Sequence, residues 1–102
     1  MNKKMNQTIQ LGSLYIQIEL ITSAQIRAAR ALLRWSSDDL SKQSGVGTAT
    51  IKRIEVMAGV PSGQIRTLLA IRHALEKGGV QFVGDPEDCP GVRLVIKKNS
   101  QK

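Results

Sequence analysis

The chain has 102 residues, enough for one small domain with a modest core that needs no second lobe. Apolar residues make up 41%, which excludes a wholly disordered chain. Three aromatics, Tyr15, Trp35 and Phe82, are too few for a platform that stacks single-stranded bases. The net charge is +7, and residues 22–79 carry most of it, with nine Lys and Arg against four Asp and Glu. A net positive charge aids solubility in any protein. Concentrated in one segment, it also attracts polyanions. Cys89 is the only cysteine, so neither an intramolecular disulfide nor a cysteine-zinc cluster can form, and a reducing cytoplasm fits. Lys3 and Lys4 precede no long apolar stretch, so no signal peptide is expected. The run from Leu11 to Ile21 is interrupted by Gly12, Ser13, Gln17 and Glu19, which excludes it as a membrane span.

In chain order, residues 1–8 are polar and are expected to fray. Ile16, Ile18 and Leu20 then alternate with Gln17 and Glu19, the period of two that predicts an N-terminal strand. Thr22 followed three residues later by Gln25 forms a capping box, which starts a helix running to about Arg34. Ile26, Ala29, Arg30 and Leu33 share one face of it, and an arginine on an apolar face is costly unless paired.

Ser36 is the next N-cap, with Asp38 and Asp39 suited to the positive end of the helix dipole. That helix ends at Ser44, before Gly45, where left-handed backbone carries no side-chain penalty. A third helix spans about Thr48 to Val56. A loop over 58–63 leads to a fourth, about Gln64 to Lys77, with Ile65, Leu68, Ile71 and Leu75 facing inward. Gly78 and Gly79 stop it. Val80–Val83 and Val92–Ile96 read as two strands of a hairpin joined by a loop over 84–91, and 97–102 as a polar tail. A lone hairpin is marginal in water, so it must pack on a helix, on the 16–20 run or on another subunit.

The third helix carries Ile51 and Ile54 on one side and Thr48, Thr50, Lys52 and Arg53 on the other. Such a helix can anchor in a core and push its polar face into a DNA groove. Preceded by the short helix over 37–44, it makes a helix-turn-helix candidate. The spacing suits the motif, with Ser41 small where two helices meet, Gly45 in the turn, and Leu40, Val46, Ile51 and Ile54 as apolar anchors.

From Thr22 to Val83 the chain resembles the phage-repressor (Cro/CI-like, XRE) family of helix-turn-helix proteins. The resemblance is carried by Arg30, Ser36 to Leu40, Gly45-Val46, Thr50 to Glu55, and Thr67-Leu68 with Ile71. Gly79 to Phe82 and Pro90 to Leu94 add a likeness to small solitary regulators of bacteria and mobile elements. It implies a mainly α, lambda-repressor-like bundle of about four helices with a C-terminal β-hairpin. Residues 1–21 would be an N-terminal tail or strand, 22–79 the DNA-binding domain, and 80–102 the hairpin and tail. Thr48, Ala49, Lys52 and Arg53 would then contact bases, and Ser37, Lys42, Thr50 and Arg66 phosphates. Arg53 has the geometry for a bidentate pair with guanine. Arg30 and Glu55 would be the structural ion pair between the first and third helices. The chain departs from the family pattern at Ser37, usually Gln, at Gly47, usually a Ser or Thr cap, and at Met57, near a usual glycine.

His73 lacks partners at ligand spacing, and no Ser, Cys or His constellation suggests a nucleophile. The expectation is therefore no enzyme, no cofactor and no metal. One recognition helix reads few base pairs, so double-stranded DNA and a second copy of the chain are the expected partners. Two other readings stand beside a transcriptional repressor. One is a helix-turn-helix reused to bind a regulatory protein, as an antiactivator or antitoxin-like module. The other is a DNA-bending accessory factor.

Overall fold

The structure, a computed structural model, describes residues 6–11 and 14–96. Two strands, β1 (Asn6–Leu11) and β2 (Leu14–Glu19), precede four helices, α1 (Ser23–Leu33), α2 (Ser37–Ser44), α3 (Thr48–Glu55) and α4 (Ile65–Gly78). A C-terminal hairpin follows, β3 (Val80–Asp85) and β4 (Asp88–Leu94). The layout of four helices and a two-stranded C-terminal hairpin agrees with the sequence. At the N-terminus, one strand was expected and two pair antiparallel, with Ile9 opposite Ile16 and Leu11 opposite Leu14. Residues 6–8, read as frayed, belong to β1. The polar segments 1–5 and 97–102 lie outside the described residues. The two hairpins form separate two-stranded sheets.

Local chemistry sets the helix ends. Thr22 Oγ1 accepts from Gln25 N at 3.0 Å, and Gln25 Oε1 accepts from Thr22 N at 2.8 Å, closing the capping box of α1. Ser36 and Asp39 make the same reciprocal pair at α2, at 3.0 and 2.9 Å. Gly45, at φ 78°, ends α2 in the left-handed region where only glycine is unstrained.

Ile26, Ala29, Leu40, Ile51, Ile54, Ile71 and Leu75 are almost wholly excluded from solvent and bring all four helices into one core. Val80 belongs to this core, and Phe82 and Val92 pack on it from the hairpin. Ile65 and Leu68, expected inward, are only half-buried. The hairpin therefore finds the support it needs on α1 and α4. Gln25 reinforces that seam: besides capping α1, its Nε2 donates to Gly91 O at 2.9 Å and Val83 O at 3.3 Å. On the α4 side, the Arg72 guanidinium lies 5.3 Å from the Phe82 ring centre.

The expected loop over 84–91 is mostly strand. Pairing continues to Asp85 opposite Asp88, leaving only Pro86 and Glu87 as the turn. A bulge between Val83 and Asp85 makes this possible. Gly84 takes φ 75° there, and a Cβ on it would fall 1.9 Å from Cys89 O. Cys89, read as a loop residue, is an exposed strand residue with φ 58°.

Among the described residues, no helix is long and apolar enough to cross a membrane.

Candidate nucleic-acid interface

The α2 and α3 helices are joined by Gly45-Val46-Gly47 and pack on each other. Leu40 from α2 and Ile51 and Ile54 from α3 are buried, so both helices are held by one apolar side. The opposite side of α3 presents Ala49, Lys52 and Arg53 to solvent, with Thr48 and Thr50 half-buried. Neither Lys52 nor Arg53 has an ion-pair partner among the described residues.

The far end of α3 is clamped. Glu55 is buried, with its side chain 7% exposed, and Arg30 Nε and Nη2 reach its two carboxylate oxygens at 2.7 and 2.8 Å. Arg30 Nη1 also donates to Trp35 O at 2.9 Å, which uses a third face of the guanidinium. The fork geometry matches a carboxylate and holds α1 and α3 in one orientation. The Glu55 hydrogen bonds raise the Arg30 pKa, keeping it charged. Arg27 Nη1 donates to the Glu55 backbone carbonyl, and Ser23 Oγ donates to Ile54 O at 2.7 Å, so α1 holds the C-terminal turn of α3 by main chain as well. A rigidly positioned helix is what a reading surface requires.

The near end differs. Gly47 gives α3 no side-chain cap. Instead Thr48 Oγ1 donates to Asp38 Oδ1 at 2.9 Å, tying the first turns of α2 and α3 together. Thr48, expected as a free base contact, thus has its hydroxyl proton committed to a carboxylate. In the sequence, Asp38 is explained by the helix dipole. An acid two positions into a capped helix carries no signal that it will face the next one.

Of the expected phosphate contacts, Ser37 is half-buried in the first turn of α2, beside Asp38 and Asp39 and next to the Ser36–Asp39 capping box that already occupies this helix end. Lys42 is exposed in the last turn of α2. Thr50 lies on α3 itself. Arg66 is exposed but comes from a different element, the first turn of α4. Ser37, Lys42, Thr48, Ala49, Thr50, Lys52 and Arg53 therefore all sit on the α2–α3 unit.

Sequence reasoning did not foresee an apolar groove at the start of α1. Leu20, Ile21, Val60, Pro61, Leu68 and Arg72 are among its walls. No residue of α3 lines it. His73 is exposed, and no cluster of three or more metal-ligating side chains occurs among the described residues. In comparisons with known proteins, the chain matches no protein-family model and no curated protein sequence.

Proposed function

We propose that this protein is a sequence-specific double-stranded DNA-binding regulator of transcription, a cytoplasmic repressor acting as a dimer, with α3 as the recognition helix of a helix-turn-helix. The observation that carries the reading is α3 itself. Its apolar side is sealed in the core and its C-terminal turn is clamped by Arg30–Glu55, while Lys52 and Arg53 project to solvent with no ion-pair partner among the described residues. A basic face held this rigidly suits a polyanion.

In this reading Arg53 donates two parallel bonds to guanine O6 and N7, and Lys52 reaches a base or phosphate. Ala49 is short enough to admit a thymine methyl. Ser37, Lys42, Thr50 and Arg66 supply phosphate contacts that fix register without reading sequence. Dimerisation on a two-fold operator multiplies the few base pairs that one helix can read. Selection of duplexes from a random pool, followed by fluorescence anisotropy with wild type and Arg53→Ala, tests it. A selected site whose affinity falls by about 1–3 kcal/mol in the variant supports the reading. Failure to enrich any sequence rejects it.

A second reading has one observation in its favour. The apolar groove by Leu20, Ile21 and Leu68 fits an antiactivator or antitoxin-like module that holds a regulatory protein. Because α3 is not part of the groove, a partner seated there would leave the α3 surface uncovered.

A further inference from the structure

Resting on the DNA reading and deepening it, we infer that Asp38 is a specificity-determining residue, whose carboxylate accepts a hydrogen bond from a cytosine amino group beside the N-terminal end of α3. The two neighbouring acids of α2 do different work. Asp39 turns back on its own helix, where Oδ2 accepts from Ser36 N at 2.9 Å. Asp38 is exposed and faces the next helix, where only Oδ1 is used, by Thr48 Oγ1 at 2.9 Å. That bond holds the carboxylate beside Thr48, in the first turn of the helix that carries Ala49, Lys52 and Arg53, and Oδ2 has no donor among the described residues.

An ionised carboxylate accepts hydrogen bonds and donates none. In the major groove, guanine offers two acceptors and thymine one, so both repel it. Adenine pairs a donor with an adjacent acceptor, while cytosine offers its N4 donor alone. Cytosine is therefore the base this group favours. Thr48 and Arg53 are five positions apart, about 7.5 Å along a helix, or about two base-pair steps. With α3 lying along the groove, the cytosine contacted by Asp38 stands about two steps from the guanine contacted by Arg53.

The test is selection from a random duplex pool with wild type, Asp38→Asn and Asp38→Ala, with thermal melting of each. Wild type is expected to prefer cytosine over guanine by about tenfold at one position. Asp38→Asn keeps the acceptor for Thr48 but gains a donor. It should shift that position towards adenine, whose N6 and N7 match a carboxamide, and leave the guanine preference intact. Asp38→Ala should lose the preference at that position alone. Identical base preferences in all three proteins would overturn the assignment, as would a uniform gain in affinity, which would mean that the carboxylate merely repels phosphate. Those outcomes leave the DNA reading standing. No enriched sequence with wild type would reject that reading and the assignment together.

Discussion

Replacing Glu55 removes one half of a buried, doubly bonded ion pair, and its cost follows from the geometry. Arg30 would lose the acceptors of two bonds at 2.7 and 2.8 Å and keep only Trp35 O. Orphaning one partner of a buried pair costs about 3–5 kcal/mol. The Arg30 side chain is 21% exposed, so water can reach part of the stranded guanidinium. That places Glu55→Ala near the lower end, about 3 kcal/mol, and Glu55→Gln, whose amide oxygen still accepts one bond, at about 1.5–2 kcal/mol. In a domain this small, 3 kcal/mol lowers the melting temperature by about 12–24 °C. Urea unfolding followed by circular dichroism gives the number directly. Replacing both members by Met and Leu should recover most of the loss, because no charge is then left unpaired. A Glu55→Ala protein that melts within about 2 °C of wild type would refute the reasoning.

The remaining predictions probe other joints. A Cβ at Gly78 would lie 2.9 Å from Trp35 and Leu33, so Gly78→Ala should cost about 1–3 kcal/mol in urea unfolding, through overpacking rather than strained backbone. Gly84→Ala combines left-handed backbone with a collision against the Cys89 carbonyl, so its amide spectrum should lose the β3–β4 cross-strand contacts. Gln25→Leu leaves Val83 O and Gly91 O without their side-chain donor and should cost about 1–3 kcal/mol, with hydrogen exchange accelerated first in β4. The Asp39 pKa is lowered, first by the hydrogen bond from the Ser36 backbone and then by that to its side chain. Because the folded value is depressed, Asp39 stabilises above the ordinary carboxylate range and loses that effect as pH falls through it and below. Melting curves of Asp39→Asn should therefore converge on wild type at low pH.

The helix ends were legible because capping is a local matter. Thr22 with Gln25, Ser36, and Gly45 carry their own signals within a turn of chain. The burden of Arg30 on an apolar face was equally legible, but periodicity alone did not name its partner. Glu55 lies 25 residues away, and the family resemblance supplied it. The hairpin boundaries were not legible. Gly84, Pro86 and Pro90 read as loop, whereas only Pro86 lies in the turn: a bulge at Gly84 and the edge position of β4 keep Gly84 and Pro90 within the strands. At the candidate site, amphipathicity picked out the exposed Lys52 and Arg53, while the tie between Thr48 and Asp38 depends on how two helices meet. The same holds for the second task of Gln25, which bridges to main chain 58 and 66 residues on.

If α3 and its neighbours bind duplex DNA, contacts to phosphate must carry much of the affinity. The most direct measurement is the salt dependence of affinity for a selected duplex, comparing wild type with Lys42→Gln, Arg66→Gln and Arg53→Ala. Wild type should lose affinity steeply as salt rises. The two Gln variants should weaken binding on all sequences and each flatten the slope by about one unit per protomer. Arg53→Ala should instead lose discrimination at one guanine. Affinity that does not respond to salt or to any of these three side chains would contradict the account.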